Sequence, residues 1–364
     1  MTDININSLN SLIALGNPIV DIISEVPESL LKKCDLKLEG CNYTEEQKKI
    51  FFEEISKLQN VKFIPGGGVS NTVRVAGWVL NQNEETKSKF KISLLGCVGN
   101  DNNKNIILNH LNENNINPIL ETVDNVPTSR CGCGILNKER YLIPDINASK
   151  LLSKEFIEKN KEEILSHDSL LLETFFMQDS FEICNNLVDE FIKLNKKIFF
   201  TLGAPFIIKF YLNQVIEIAN KSDYIFCNMD EAKLFIKLNK NCSLSEEEIN
   251  KSKNYKLIFE EIHKLLKPKK RFILVTSGKD GVFCSAYDYE NNQLEFIFQN
   301  FPKIIEQKNI VDFDGAGDSF LGGFLSQFIQ GKSLNICCKI GNKAAGVVIR
   351  NVGCSFDMYN EKIV

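Results

Sequence analysis

Short, nearly continuous apolar runs alternate with longer amphipathic stretches along most of this 364-residue chain. Such runs predict strands buried on both faces of a sheet, and the stretches between them predict covering helices. The predicted strands are Ser11–Gly16, Lys91–Gly99, Ser169–Met177, Lys197–Phe206, Asp223–Asn228 and Arg271–Gly278. The predicted helices include Asn71–Leu80, Asp179–Leu194, Glu231–Leu238 and Asn254–Leu266. The pattern favours an α/β fold with a mainly parallel central sheet flanked by helices.

Two segments depart from this alternation. Residues 22–64 carry one clear helix, and the sequence Thr44–Gln47 predicts a capping box at its start. Residues 118–146 end in two predicted strands joined at Asn137–Lys138. These strands do not fit the parallel sheet, so we predict that they belong to a small β-rich lid. The predicted division is a large domain of residues 1–21, 65–117 and 148–364 with a lid of residues 22–64 and 118–147.

Composition narrows the function classes. The chain is 43% hydrophobic and 25% charged with a formal net charge of -4, which disfavours partners such as nucleic acid or a membrane surface. The N-terminus lacks the pattern of a signal peptide, and no apolar stretch reaches the length of a membrane span. The 12 cysteines are scattered, which indicates a reducing, cytoplasmic setting. The 3 histidines lie in polar, helix-like contexts, which disfavours imidazole catalysis.

The stretch Asp312–Phe320, "DFDGAGDSF", is the most informative motif. It fails the dinucleotide-binding fingerprint because Phe320 stands where the third glycine belongs, and no Walker lysine follows. The backbone N–H groups of Ala316, Gly317 and Asp318 start a predicted helix, where they could bind a transferring phosphoryl group. Asp318 would then stand beside the attacking hydroxyl as its base. The alternative interpretation is a helix-capping carboxylate with glycines for tight packing.

A second glycine-rich stretch, "FIPGGGVSNTVRVAGW", precedes another predicted helix. Gly66, Gly67 and Gly68 would allow close approach of the backbone to a polyhydroxyl ligand. Asn71, at the helix start, can both donate and accept hydrogen bonds. A flexible loop followed by an asparagine cap is the alternative.

Polar side chains also follow two of the predicted strands. Asn17 and Asp21 follow the first strand, and the Asp21 carboxylate could accept from a pair of sugar hydroxyls. Asn228 and Glu231 follow a later strand and suit Mg²⁺ bound through water. Since ligands gather at the carboxyl ends of parallel strands, we expect these groups to line one rim.

Together these stretches resemble the ribokinase-like (PfkB) family of sugar and nucleoside kinases, over about Leu12–Phe356. "GNPIVDI", "SNTVRVAGW" and "APF" are more typical of the members that phosphorylate adenosine. The resemblance implies a ribokinase-like three-layer fold whose β-rich lid closes over the nucleoside. It also implies transfer of the γ-phosphoryl of MgATP to the 5'-hydroxyl of adenosine, which gives AMP and ADP in purine salvage.

The resemblance implies roles for particular residues. Asp318 is the expected base, with Gly315, Ala316 and Gly317 as the anion hole and Arg140 near the phosphates. The residues expected to bind the nucleoside are Asn17, Asp21, Gly66, Gly67, Gly68, Asn71, Leu142, Phe176 and Phe206. The residues expected near ATP are Asn228, Thr276, Gly278, Asp314 and Asn342. Glu231 and Asn228 match the motif that binds Mg²⁺, which we expect to be held through water.

Several residues differ from the usual family pattern. Phe313 and Asp314 replace a small residue and a Thr or Asn directly before the Gly-Ala-Gly-Asp motif. An added carboxylate would repel phosphates unless Mg²⁺ or a monovalent cation such as K⁺ compensates. Gly68 stands where serine is common, and Cys41 and Tyr43 occupy lid positions near the expected purine site. These changes bear on base selectivity.

The sequence leaves three alternatives to an adenosine-phosphorylating enzyme. A family member acting on another nucleoside or a sugar would share the phosphate chemistry, and the purine pocket would distinguish it. A non-catalytic nucleoside-binding protein would be marked by loss of the base or the anion hole, and the sequence keeps both. An NAD-dependent dehydrogenase is disfavoured by the failed fingerprint. The resemblance and the lack of an apolar surface stripe favour a monomer.

Overall fold

The structure is a computed structural model that describes residues 8–37, 43–137, 139–251, 255–288, 293–299, 306–356 and 362–364. The strands in these ranges are β1 (Ser11–Leu15), β2 (Ile19–Glu25), β3 (Lys62–Gly66), β4 (Lys91–Gly99), β5 (Ile116–Val123), β6 (Arg130–Leu136), β7 (Glu139–Asp145), β8 (Ser169–Glu173), β9 (Lys197–Thr201), β10 (Tyr224–Asn228), β11 (Arg271–Thr276), β12 (Val282–Asp288) and β13 (Gln293–Gln299).

The α-helices in the same ranges are α1 (Glu28–Lys33), α2 (Glu45–Ile55), α3 (Gly68–Asn81), α4 (Asn102–Glu113), α5 (Lys154–Lys159), α6 (Lys161–Leu165), α7 (Thr174–Lys193), α8 (Pro205–Phe210), α9 (Leu212–Lys221), α10 (Met229–Leu238), α11 (Glu246–Lys251), α12 (Tyr255–Leu265), α13 (Ala316–Phe328) and α14 (Leu334–Val348). Within the described ranges, no helix combines the length and apolar character needed to cross a membrane.

In the part of the chain that the structure describes, nine strands form the large sheet in the order β13-β12-β11-β10-β9-β8-β1-β4-β5. The strands from β11 to β5 pair in parallel, and β12 and β13 add an antiparallel edge. Alternate residues of β1 enter different cores: Leu12 faces the side covered by α3, α13 and α14, and Ile13 faces the side covered by α7, α9, α10 and α12. The predicted class, a mainly parallel sheet flanked by helices, is confirmed.

Close packing of α3 against α13 brings two distant parts of the chain together. A Cβ at Gly322 would lie 2.5 Å from the Thr72 carbonyl oxygen, so only glycine allows α13 this near to α3. One face of α13 carries Phe320, Phe324 and Phe328 at helical spacing, and the rings of Phe324 and Phe328 stack 5.5 Å apart. This packing fixes the N-terminal ends of both helices at the carboxyl edge of the sheet.

A second sheet has the strand order β3-β2-β6-β7 and forms the predicted lid. The expected pair of strands is confirmed as the antiparallel β6 and β7, with Asn137 at φ 53° in the turn and Lys138 outside the described residues. A Cβ at Gly132 would lie 2.3 Å from the Phe51 ring, because α2 packs against one face of this sheet. The predicted capping box of α2 is also confirmed, since Thr44 and Gln47 cap each other reciprocally.

Two predicted strands were too long. The strand expected over Ser169–Met177 ends at Glu173, and α7 begins at Thr174. The strand expected over Lys197–Phe206 ends at Thr201, and Pro205 starts α8. Each apolar run continues from a buried strand into the buried face of the next helix, so hydrophobicity alone does not show the boundary.

Sheet membership differs from the predicted division into domains at three places. β2 and β3 are paired in the lid sheet over 19–25 and 62–66, so this sheet extends beyond the predicted range 22–64. β5 (116–123) pairs with β4 in the large sheet, although the predicted lid includes residues 118–147. The division into two domains itself stays a prediction.

Candidate active site

The N-terminus of α13 carries the Gly-Ala-Gly-Asp motif. Gly315 caps the helix at φ 71°, and a Cβ there would lie 2.7 Å from Cβ of Cys354, so the turn requires glycine. The space beside Gly317 is open, with no atom within 4 Å of an added Cβ. The Ala316 N–H, expected in the anion hole, donates to the Phe313 carbonyl at 3.2 Å. The remaining amides of the first turn and the helix dipole favour an anion at this end.

Asp318 lies in that first turn and contacts the other helix. The Asn71 amide nitrogen donates to Oδ2 of Asp318 at 3.1 Å, and Arg74 Nη1 donates to Oδ1 of Asn71 at 3.0 Å. Arg74 thereby fixes which end of the amide faces Asp318. Burial raises the pKa of Asp318 to about 7, with Asp314 adding to the rise and Asn71 opposing it. A carboxylate with this pKa is suited to accept a proton near neutral pH.

The three-glycine loop holds Asp21 and Asn17 against its backbone. A Cβ at Gly66 would lie 2.3 Å from Oδ2 of Asp21, so a larger residue would displace that carboxylate. Gly67 adopts φ 93°, and a Cβ there would lie 2.0 Å from the Asn17 carbonyl oxygen. The predicted nucleoside residues of these segments are therefore neighbours.

Asp21 is a buried carboxylate with few counter-charges. Burial raises its pKa to about 8, and Asp314 and Asp318 raise it further, whereas Arg140 and Arg74 lower it. Such a group gains from ligand hydroxyls that donate to it, because these replace the hydrogen bonds lost from water.

One face of the lid sheet carries most of its predicted site residues. Asp21 is the register partner of Cys131, Leu142 is that of Cys133, and Arg140 is that of Ile135, so these side chains share one face. Leu142 is 39% exposed on this face. It can therefore supply an apolar wall to a ligand under the lid.

Arg140 connects the lid to the loop before α13. Its guanidinium forms an ion pair with Asp312, and its Nη2 lies 3.3 Å from Oδ2 of Asp314. Asp312 also accepts from the Gly353 N–H at 2.8 Å. The unusual Asp314 thus has a positive partner in this structure, which offsets part of the repulsion expected toward phosphates.

The aromatic residues are arranged differently from the expectation. Phe176 is 1% exposed and lies on the face of α7 that packs into the core. Its neighbour Phe175 is 38% exposed, and its ring centroid lies 5.9 Å from that of Phe206. Because α7 starts at Thr174, consecutive residues here point in different directions around a helix. In our proposal the role of base wall therefore moves from Phe176 to Phe175, with Phe206 beside it.

Glu173 was missed in the sequence, although it ends a buried strand as other candidates do. Its Oε1 accepts from the Asn17 N–H at 3.2 Å, and its Oε2 accepts from the Val69 N–H at 3.0 Å. Burial raises its pKa to about 7, opposed by the two backbone donors and reinforced by Asp318. A search for carboxylates at strand ends would have included it, had the predicted strand not continued to Met177.

Asn228 and Glu231 form a reciprocal cap at the start of α10. Oδ1 of Asn228 accepts from the Glu231 N–H at 2.8 Å, and Nδ2 of Asn228 donates to Oε1 of Glu231 at 2.8 Å. Burial raises the pKa of Glu231 to about 7, opposed by the Asn228 N–H and reinforced by Asp318. The carboxylate retains lone pairs for a hydrated cation, so the donors fit Mg²⁺ held through water. Among the described residues no group of three or more His, Cys, Asp and Glu is placed to hold a metal directly.

Of the residues expected near ATP, three lie at or just after the ends of β10 and β11, and one lies in α14. Asn228 and Thr276 are register partners at the ends of β10 and β11. Gly278 adopts φ 51° with open space beside it. Nδ2 of Asn342, in α14, is buried without a hydrogen-bond partner. An unpaired buried donor is costly, so a ligand acceptor at this position would be stabilising.

The remaining departures from the family pattern lie at the edges of the site. Phe313 is 71% exposed, directly before the anion-binding turn. The Tyr43 hydroxyl donates to the Lys37 carbonyl at 3.3 Å, within the lid. Cys41 lies outside the described residues.

A buried carboxylate at the open N-terminus of a helix, at the rim of a parallel sheet and facing a β-sheet lid, is the arrangement that a phosphotransferase of the α/β class needs. The chain belongs to a family described as pfkB family carbohydrate kinase, which matches residues 35–361. The resemblance seen in the motifs is confirmed by this match, and the chain is an ATP-dependent kinase.

Relatives that match nearly the full length of the chain include adenosine kinases. The chain is 28% identical to adenosine kinase 2 of Arabidopsis thaliana over 349 residues, covering 95% of each chain. It is 27% identical to the adenosine kinase of Dictyostelium discoideum over 357 residues, covering 97% of this chain and 98% of the relative. The crystal structure of Anopheles gambiae adenosine kinase in complex with P1,P4-di(adenosine-5) tetraphosphate is similar with a TM-score of 0.78 and 27% identity, covering 94% and 96% of the two chains.

Proposed function

We propose that this protein transfers the γ-phosphoryl of MgATP to the 5'-hydroxyl of adenosine, giving AMP and ADP. The observation that carries the proposal is Asp318, a carboxylate with a pKa of about 7 in the first turn of α13, held by Asn71 at 3.1 Å. Full-length similarity to adenosine kinases supports adenosine as the acceptor.

The nucleoside binds between the glycine loop and the lid. Asp21 accepts from the two ribose hydroxyls, because its carboxylate is buried against Gly66 and lacks a strong cationic partner. Leu142 of the lid and Phe175 of α7 supply exposed apolar surface for the purine. Asn17 and Asn71 provide polar groups near the ribose.

ATP lies along the other side of the rim, with its phosphates toward the N-terminus of α13. The buried Nδ2 of Asn342 donates to a ring nitrogen of the ATP adenine, and Thr276 and Gly278 border the same cleft. Glu231 and Asn228 would hold Mg²⁺ through water. When bound, Mg²⁺ neutralises part of the negative charge on the phosphates.

Asp318 accepts the proton of the 5'-hydroxyl as the oxygen attacks the γ-phosphorus. The first turn of α13 stabilises the negative charge on the transferring group, and the open space beside Gly317 accommodates it. Arg140 exchanges its ion pairs with Asp312 and Asp314 for the phosphates when ATP is present. Closure of the lid excludes water that would otherwise hydrolyse ATP.

A coupled assay for ADP release, offering adenosine, guanosine, inosine and ribose separately with MgATP, tests the proposal. We expect kcat/KM for adenosine to exceed that of each other acceptor by at least about 100-fold, which lies within the range that differential transition-state binding provides. A preference for ribose or another nucleoside would mean that the proposed acceptor is wrong and that the proposed phosphoryl transfer is right. No turnover with any acceptor would favour a non-catalytic nucleoside-binding protein.

A further inference from the structure

Glu173 joins the two backbone segments that face the nucleoside. We propose that Glu173 is a positioning residue of the nucleoside site: its carboxylate fills the space left by Gly68 and fixes the loop at Asn17 to the first turn of α3. This inference rests on the proposed function, since it concerns the binding of the same nucleoside.

Each oxygen of the carboxylate serves one segment. Oε1 accepts from the Asn17 N–H at 3.2 Å, and Oε2 accepts from the Val69 N–H at 3.0 Å. Glu173 is 2% exposed; its hydrogen bond with Val69 is buried and its hydrogen bond with Asn17 is partly buried. Without this carboxylate, two N–H groups would lose an acceptor in a buried environment.

The carboxylate also replaces a missing helix cap. The N-cap residue of α3 is Gly67, which has no side chain to accept from the first turn. Glu173 supplies that acceptor from β8, and the turn it holds carries Asn71, whose amide donates to Asp318 at 3.1 Å. Displacing this turn would therefore move Asn71 and Asp318 relative to each other.

Two glycines make room for the glutamate. A Cβ at Gly68 would lie 2.4 Å from Oε2 of Glu173 and 3.5 Å from Oδ1 of Asp318. A Cβ at Gly16 would lie 2.6 Å from Oε1 of Glu173. Any side chain at position 68 would thus compete with the carboxylate for one volume, next to the base. A glutamate at 173 and a glycine at 68 depend on each other.

This dependence predicts reciprocal rescue. Gly68→Ser alone should weaken adenosine binding about tenfold, because the serine collides with Glu173. Glu173→Ala alone should weaken it by a similar factor, because both segments lose their acceptor. In the double variant the serine occupies the vacated volume and its hydroxyl can accept from the first turn of α3. We expect the double variant to recover most of the affinity that either single variant loses.

The experiment compares these variants by calorimetric titration with adenosine, steady-state KM for adenosine and for ATP, and melting temperature. Glu173→Gln keeps the side-chain volume and serves as a second variant if Glu173→Ala does not fold. Its KM for adenosine should rise about tenfold while its KM for ATP changes less than about twofold. Glu261→Gln is the matched control, since Glu261 is 1% exposed and accepts from the Ser243 N–H at 2.6 Å outside the rim. It should alter only the melting temperature.

Additive losses in the double variant, or equal changes in the two KM values of Glu173→Gln, would overturn the positioning role. Adenosine turnover by the unmodified enzyme is measured first. If the unmodified enzyme does not turn over adenosine, the proposed function is overturned. The melting temperatures of the two single variants and the double variant would still test the contact between Glu173 and position 68. The two failures are therefore distinguishable.

Discussion

Among the described residues, four of the buried carboxylates at the rim have a raised pKa. Burial is the largest cause for every one, with pKa values of about 8 for Asp21 and about 7 for Glu173, Glu231 and Asp318. Such groups are costly in the free protein and become favourable when hydroxyls or cations reach them. The site is thus electrostatically prepared for a polyhydroxyl acceptor with a metal-bound phosphate donor.

Replacing the proposed base should separate chemistry from binding. We expect Asp318→Asn to lower kcat by about 10²–10⁴-fold, the usual contribution of a general base, because the amide cannot take the hydroxyl proton. Adenosine affinity should change less than about threefold in a calorimetric titration. Retained turnover in this variant would remove Asp318 from the base role.

The rate should depend on pH with an acid limb near neutrality. With a pKa of about 7, Asp318 becomes protonated as the pH falls through that value, and the protonated form cannot act as a base. We expect kcat/KM to fall at least about tenfold per pH unit below pH 6, because Asp21, with a pKa of about 8, must also be ionised to bind the ribose, and to level off only above about pH 9. A profile that stays flat from pH 8 to pH 5.5 would contradict a base with a raised pKa.

Replacing Asp21, the proposed hydrogen-bond acceptor for the ribose hydroxyls, should weaken the binding of adenosine much more than the binding of ATP. We expect Asp21→Ala to weaken adenosine binding about 10–100-fold, as for the loss of charge-assisted hydrogen bonds, and to change the KM for ATP less than about threefold. Calorimetry with adenosine and initial rates at varied ATP measure the two effects. Equal losses for both substrates would count against the ribose role.

The loop between β3 and α3 owes its shape to backbone contacts that only glycine permits. Gly67 combines φ 93° with a Cβ position 2.0 Å from the Asn17 carbonyl oxygen. Gly278 adopts φ 51° but has open space around it. A substitution at Gly278 measures only the free-energy cost of the left-handed conformation. A substitution at Gly67 adds the cost of the steric contact with Asn17.

We expect Gly278→Ala to lower the free energy of unfolding by about 1–2 kcal/mol, the cost of a left-handed conformation. Gly67→Ala should lower it by clearly more than that, since the loop must also move away from Asn17. Chemical denaturation of both variants measures the difference. Equal costs would show that the contact with Asn17 does not constrain the loop.

The ion pairs of Arg140 link the lid to the loop before α13, and Asp314 contributes one of them. Asp314→Asn removes a negative charge near the expected phosphates, so we expect the KM for ATP to fall about threefold and any dependence on K⁺ to weaken. Asp189→Asn is the matched control, because Asp189 pairs with Lys221 at 2.6 Å and is 44% exposed, against 43% for Asp314. A raised KM for ATP in Asp314→Asn alone would indicate that the carboxylate assists ATP binding.

The sheet and the motif loops were predictable because their signals are local. Apolar runs indicate buried strands, and the glycine clusters mark turns before α3 and α13. The partners of Glu173 and Arg140 were not, since Val69 and Asp312 lie 104 and 172 positions away. Phe175, and not the predicted Phe176, is exposed as the proposed wall for the base because α7 starts at Thr174. The continuous apolar run hides this helix start in the sequence.

Over the whole molecule, the large sheet and the lid sheet bring the predicted site residues to one edge. The large sheet places strand ends and the N-terminus of α13 at one edge, and the lid sheet turns Asp21, Leu142 and Arg140 toward that edge. The described large apolar side chains with the greatest exposure, Phe210 and Phe313, lie on separate elements. We expect a monomer of 41.3 kDa by light scattering, and a stable dimer would contradict this expectation.

The identity of the phosphorylated product tests the central claim most directly. The protein is incubated with MgATP and adenosine, and the products are identified by mass spectrometry and by phosphorus NMR with proton coupling. The account predicts AMP, esterified at the 5'-oxygen, in equal amounts with ADP, and at least about 100-fold less AMP from Asp318→Asn in the same time. ADP formed without a nucleoside monophosphate, or a phosphate attached at another position, would contradict it.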